Sequence, residues 1–468
     1  EKNKSFWQKK SNFADHIQGN VKEKIIDIYH NSQIVNELID SIKGFKDILC
    51  VGLCASAKAY VIAASSEKMN GHNFVICSDK EKAAYFYNDL ENIFGEKDLD
   101  YSKKRVLFYP TSYKRPYEPE KPDNTYILSR TEVLQRISSS ERKTIIVTYP
   151  EALSEKVITR KTMSDNVFKI KTGDNISMNT LTDVLANYNF EHVDFVVEPG
   201  QFAIRGGIVD VFSFSNDYPY RIEFFGEEID SIRSFNPIDQ LSIENFKNII
   251  LIPNLQDNSV GNEKETIFQY LRDKSIVWID EEDSLKERVD KEYDKARDVF
   301  FGKTSGDEKQ KNSANIENPE SIFTTGEEIV SHLKNFRTIS FGKFLNSKDK
   351  YTIKFNSSPQ PAFNKNFNML LDDINKLKAE YYSVYCFSES KKQLDRIQSI
   401  LNDIQKLDED HLNFTPINHS IQGGFIDKDL RICCYTDHQI FERYHRFRLR
   451  ESFASSQAIT IKELYDLK

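Results

Sequence analysis

One stretch of the chain has the residue types and spacing of a phosphate cradle. In "VGLCASAKAYVIAA", Gly52 follows an apolar run and Lys58 stands at the lysine position of the pattern G-x-x-x-x-G-K-[ST]. Such a loop works because backbone N–H groups and the lysine wrap the phosphates, while a Ser or Thr hydroxyl ligates Mg²⁺. Two of those parts are replaced here: Ala57 stands for the second glycine and Ala59 for the hydroxyl. A methyl group ligates no metal, and a Cβ at position 57 crowds the approach of backbone to phosphate. Gly52, Ala57, Lys58 and Ala59 are therefore expected to keep the shape of a nucleotide-binding loop and to hold no cofactor. An acidic partner does exist in "SIVWIDEED", where Asp280 and Glu281 end an apolar run. The alternative reading is a nucleotide-dependent DNA-binding or translocating enzyme that uses the loop at 52–59 with Asp280.

The other chemistry-bearing residues form no catalytic or metal-binding set. Cysteines fall at 50, 54, 77, 386, 433 and 434, mostly inside apolar runs such as "ILCV", "FVICS" and "RICCY". That placement predicts buried free thiols in a reducing compartment, without the paired spacing of a zinc site. The nine histidines are scattered. No catalytic residue and no metal ligand is assigned.

The elements that would hold the loop follow from periodicity. Residues 31–150 alternate helical and apolar-strand patterns: "NSQIVNELIDSIKGF", "DILCVGL", "NFVICS", "DKEKAAYFYNDLENIFG", "RVLFYP" and "KTIIVTY". This alternation predicts a parallel sheet covered by helices. After Tyr149 the period drops to two, through "FKIKTGD", "HVDFVVEPGQFAIRGGIVDVFSF" and "YPYRIEFFGEEIDSIRSF", with one helix at "MNTLTDVLANY". We read a small antiparallel α+β domain over 151–240, inserted into an α/β domain whose parts are 1–150 and 241–345. "NIILIPN" and "KSIVWIDEED" are assigned to the resumed parallel sheet. The polar stretch 302–320 reads as a mobile loop, and a further α/β domain occupies 346–468.

Strand alternation puts a second kind of chemistry on the small domain. In "YRIEFF", Ile222 and Phe224 make a core face, which leaves Arg221, Glu223 and Phe225 together on the other. In "QFAIRGG", Phe202 and Ile204 turn inward, Gln201, Ala203 and Arg205 outward, and Gly206–Gly207 mark a turn or bulge. An exposed aromatic ring among arginines and a carboxylate has the make-up of a binding hot spot. With 64 Lys and Arg against 72 Asp and Glu, the chain is net acidic at −8, which favours a protein partner over a phosphate backbone. "ERYHRFRLR", 442–450, is a local basic segment that reads either as a DNA contact or as a solvated, amphipathic connecting segment. No apolar run reaches the ~20 residues of a membrane span, and "EKNKSFWQKK" lacks the apolar core of a secretory signal. A cytoplasmic protein is expected.

The residues "PGQFAIRGGIVDVFSFSNDYPYRIEFFGEEIDSIRSFNP" resemble the segment shared by the bacterial excision-repair protein UvrB and the transcription-repair coupling factors, Mfd. "LFYPTSYKRPYEPEKPDNTYILSRTEVLQRI", the altered loop at 52–59, "YTDHQIFERYHRFRLR" and "ITIKELYDLK" are closer to the amino-terminal UvrB-like region of Mfd. The resemblance implies a helicase-like α/β domain carrying an inserted UvrA-binding domain. It implies UvrA contacts at Arg205, Arg221, Glu223, Phe225 and Glu227, with Glu228 nearby. It also implies a parent whose carboxy-terminal domain masks this surface, with RNA polymerase, DNA, ATP and Mg²⁺ handled by domains outside this chain.

Overall fold

The structure is a computed structural model that describes residues 25–113, 124–139, 142–255, 263–304, 317–342, 349–406 and 411–443. It forms two compact units: one from the described residues within 1–98, 274–282 and 336–448, the other from those within 99–273 and 283–335. The segments "EKNKSFWQKK", "ITIKELYDLK" and "ERYHRFRLR" beyond Arg443 lie outside the described residues.

In the first unit, five parallel strands run side by side in the order Tyr351–Lys354, Asp47–Val51, Arg337–Gly342, Ile276–Asp280, Asn73–Ile76. Local signals set its helices. Ser32 caps Gln33–Gly44 by accepting from Val35 N–H. Asp79 caps Lys80–Phe94, which stops at Gly95 with φ +69°. Helix Ala57–Lys68 is buried along most of its length, which its run of small side chains permits. A second, mixed sheet has the order Ser357–Pro359, Phe425–Asp427, Ile432–Thr436, Ser383–Phe387, Thr415–Ile417. The amphipathic helices Phe367–Ala379 and Lys391–Gln405 are capped by Asn366 and Ser390. They pack on this sheet through Leu370, Ile374, Leu394 and Ile397. All six cysteines are free thiols, and five are buried, with Cys54 half-buried.

The second unit contains the parallel pair Val106–Phe108 and Ile145–Thr148 with helix Asn124–Ser139. Its main feature is a six-stranded sheet in the order Ser242–Asn245, Glu228–Phe235, Tyr220–Phe225, Ile208–Val211, Gln201–Arg205, Glu191–His192. Neighbours are antiparallel except the last pair. Its inner face packs on helix Met178–Asn187 through Leu181 and Leu185, together with Ile170, Val209, Ile222 and Ile232.

Two expectations need correction. "NIILIPN" does not rejoin a parallel sheet: Asn248–Leu251 pairs antiparallel with Phe168–Lys171. Ile249 and Leu251 alternate into the core of the small sheet, so a short apolar run was misread as a strand buried on both faces. The stretch 302–320 is not loop throughout. Helix Glu282–Thr304 runs into it, and a turn of helix at Pro319–Ile322 starts on the Asn318 cap. Residues 305–316 lie outside the described residues.

Candidate functional site

The loop at 52–59 lies where its motif requires, between strand Asp47–Val51 and helix Ala57–Lys68. Gly52 has φ +80°, and a Cβ there would sit 2.1 Å from the Phe355 carbonyl oxygen, so glycine is required on two counts. Several backbone donors of the loop are spent inside the chain. Cys54 N–H donates to Ser357 Oγ (3.0 Å), and Ser56 and Ala59 N–H donate to the carbonyls of Gly423 and Ser56. Lys58 Nζ lies 2.7 Å from Asp280 Oδ1 and over the Phe341 ring. Ser56 Oγ donates to Asp89 (2.6 Å) while accepting from Gly423 N–H, and Gln422 N–H donates to the other Asp89 oxygen. Burial pushes the Asp89 carboxyl up to about 7 against those hydrogen bonds. The lysine and the acid that could serve a magnesium nucleotide thus neutralise each other, and position 59 offers a methyl.

The second site is the outer face of the small sheet. Register fixes it: Ala203, Asp210, Arg221, Arg233 and Asn245 form one row across the strands, and Arg205, Ile208, Glu223 and Ser231 form the next. Phe225 follows at the tip of the hairpin, paired with Glu228 across the turn Gly226–Glu227. Gly226 adopts φ +66°, as the first central position of a two-residue hairpin needs. At that tip the ring has no core to enter and is 82% exposed. Glu227 and Glu228 are exposed beside it.

The charges behind the ring are tied down. Asp210, 1% exposed, accepts from Arg221 Nε and Nη2 (2.7 and 2.8 Å) and from Arg205. Arg221 also reaches Gln240 Oε1 (2.7 Å) and lies 4.2 Å over the Phe235 ring. Its side chain is only 12% exposed, so it supports the face more than it shows on it. Glu223 accepts from Arg233 and from the Ser231 hydroxyl, both at 2.7 Å, which holds its carboxyl down at about 2. A β-bulge between Glu223 and Phe224, with Asp230 as the extra residue, bends the strand pair just before the tip.

Alternation along "YRIEFF" is borne out: Tyr220 and Ile222 enter the core, Phe224 packs against it, and the odd positions face out. Along "QFAIR" it is only half right. Ile204 shares the inner row with Val209 and Ile222 yet is 40% exposed, because the flanking strand Glu191–His192 ends opposite Phe202. Ala203, on the outer face, is buried under Val193 and Val196 with Phe212. Asp210 and Arg233 were missed as site residues. Alternation would have placed Asp210 outward in "IVDV", but pattern alone does not pair it with two arginines from other strands.

Residues 168–256 match the family described as UvrB interaction domain. The chain is 30% identical over 239 residues to the transcription-repair-coupling factor of Bacillus subtilis (strain 168), which is 51% of this chain and 19% of that protein. It is 28% identical over 232 residues to the UvrABC system protein B of Streptococcus uberis (strain ATCC BAA-854 / 0140J), 47% of this chain and 34% of that one. The transcription-repair-coupling factor of Myxococcus xanthus is 27% identical over 217 residues, 46% and 18% of the two chains. The match thus spans between 18% and 34% of the length of these relatives. The resemblance read from the sequence is borne out: residues 168–256 match the UvrB interaction domain family, and about half of the chain is similar to transcription-repair-coupling factors and to UvrABC system protein B.

Proposed function

We propose that this chain is a recruitment module of nucleotide excision repair, acting in a transcription-repair coupling factor and docking UvrA through the outer face of the small sheet. The observation that carries the reading is Phe225, a phenyl ring standing in water on a rigid hairpin tip with its charged neighbours held by their own partners. Desolvating that ring is the gain a partner can collect, and the tethered charges cost little entropy on docking. Arg205, Glu223 and Glu227 surround it as polar contacts, and Arg221 supports them from below. The UvrB interaction domain match over 168–256 supports the same face.

The module binds UvrA without hydrolysing nucleotide. The self-paired Lys58–Asp280, the occupied N–H groups and Ala59 support that part of the reading. Polymerase, DNA and ATP-driven movement belong to the parent beyond this chain, whose carboxy-terminal domain covers the docking face at rest. A closed form favoured 99:1 would weaken UvrA binding ~100-fold, about 2.7 kcal/mol.

Capture of UvrA on immobilised chain tests the proposal. Phe225→Ala should cost roughly 2 kcal/mol of affinity, about 30-fold, with no fall in Tm. Arg205→Ala and Phe225→Ala variants that capture UvrA as well as the wild type would overturn it.

A further inference from the structure

The docking face holds a second exposed ring with its own cation. Phe195 is 51% exposed, and the Arg205 guanidinium lies 5.3 Å from its centroid. The segment that carries the ring is pinned from below. Val196 is buried with Ala203 and Phe212, while Gln201 Oε1 accepts from the N–H groups of both Val197 and Glu198 at 3.0 Å. Arg205 is fixed from its other side by the buried Asp210. Asp210 supplies one negative charge to two guanidiniums, Arg205 and Arg221, so the cluster keeps one unit of positive charge. Arg221 is nearly covered, which leaves that charge at Arg205. The fork of an arginine offers five donors; among the described residues those of Arg205 have Asp210 as their acceptor.

We propose that Phe195 and Arg205 form a second anchor of the docking face, taking a carboxylate of the partner on the guanidinium while the ring covers apolar partner surface. The proposal rests on the UvrA reading and adds to it the chemistry of the partner at this point: an acidic side chain beside an apolar spot. A guanidinium held over a ring and presented on a rigid segment binds a carboxylate bidentately, which a lysine cannot reproduce. Both groups are already ordered in the free chain, so little freedom is lost on contact.

The test is UvrA binding to the full chain by calorimetry or surface capture, at low and moderate salt. Phe195→Ala and Arg205→Lys should each weaken binding about tenfold without lowering Tm, and Phe195→Tyr should restore it. Affinity of the wild type should fall more steeply with salt than that of Arg205→Ala, because one charge pair is lost in the variant. Binding abolished by Phe225→Ala but unchanged in Phe195→Ala would overturn the second anchor and leave the UvrA reading standing. A wild-type chain that fails to bind UvrA would overturn both. Arg205-dependent binding of duplex DNA, or of a second copy of the chain, in place of UvrA would also overturn the proposal.

Discussion

Asp210 decides the charge pattern of the outer face of the small sheet although it is itself buried. Two guanidiniums converge on it from different strands. Removing the carboxylate leaves Arg221 covered and unpaired against Phe235. Breaking one side of such a buried pair is strongly destabilising, because the remaining charge has lost its compensation. Asp210→Ala should therefore lower stability by roughly 3 kcal/mol, read by chemical denaturation, and should reduce UvrA capture with it. Arg221→Ala belongs to the same class and should lower Tm, whereas Phe225→Ala, at an exposed tip, should not. A Tm for Asp210→Ala equal to that of the wild type would contradict the geometry. Glu223 behaves differently. Its depressed carboxyl adds stability that is complete above its ordinary value of 4.5 and is lost as pH falls toward about 2.

At the scale of elements, the loop at 52–59 has become a structural junction. Gly52 accepts from Ser357, Ser56 bonds Gly423, and Asp89 on helix Lys80–Phe94 receives both Ser56 and Gln422. These bonds tie the parallel sheet to the second sheet of the same unit. Burial holds a proton on Asp89 up to about pH 7, above its unfolded value of 3.8. The stability it contributes is complete below about pH 4 and is lost as pH rises through about 7. Asp89→Asn stays neutral, so the difference in Tm between variant and wild type should grow in the variant's favour from pH 4 to pH 8. A constant difference over that range would show that Asp89 ionises in the folded chain as it does in the unfolded one.

For the molecule as a whole, the question is whether any nucleotide still drives it. Equilibrium binding of labelled ATP to the wild type should show no saturable phase, with or without Mg²⁺. Lys58→Ala should change stability and not nucleotide affinity, since its partner is Asp280. Saturable binding abolished by Lys58→Ala would restore the enzyme reading. Among the described residues no helix is long and apolar enough to cross a membrane.

Much of this was legible in the residues themselves. The caps at Ser32 and Asp79 and the alternation in "YRIEFF" are local signals, and each appears where its residues require. The loop shape at 52–59 and the missing hydroxyl at Ala59 are equally local. Tertiary structure alone decided the rest. It turned "NIILIPN" into an antiparallel partner of Phe168–Lys171, left Ile204 uncovered and brought Arg205 and Arg221 onto Asp210. It also joined Lys58 to Asp280 across 222 positions. The physical reason is that a side chain's periodicity names the face it occupies, while the neighbour that covers or neutralises it comes from a distant segment that the local pattern does not encode.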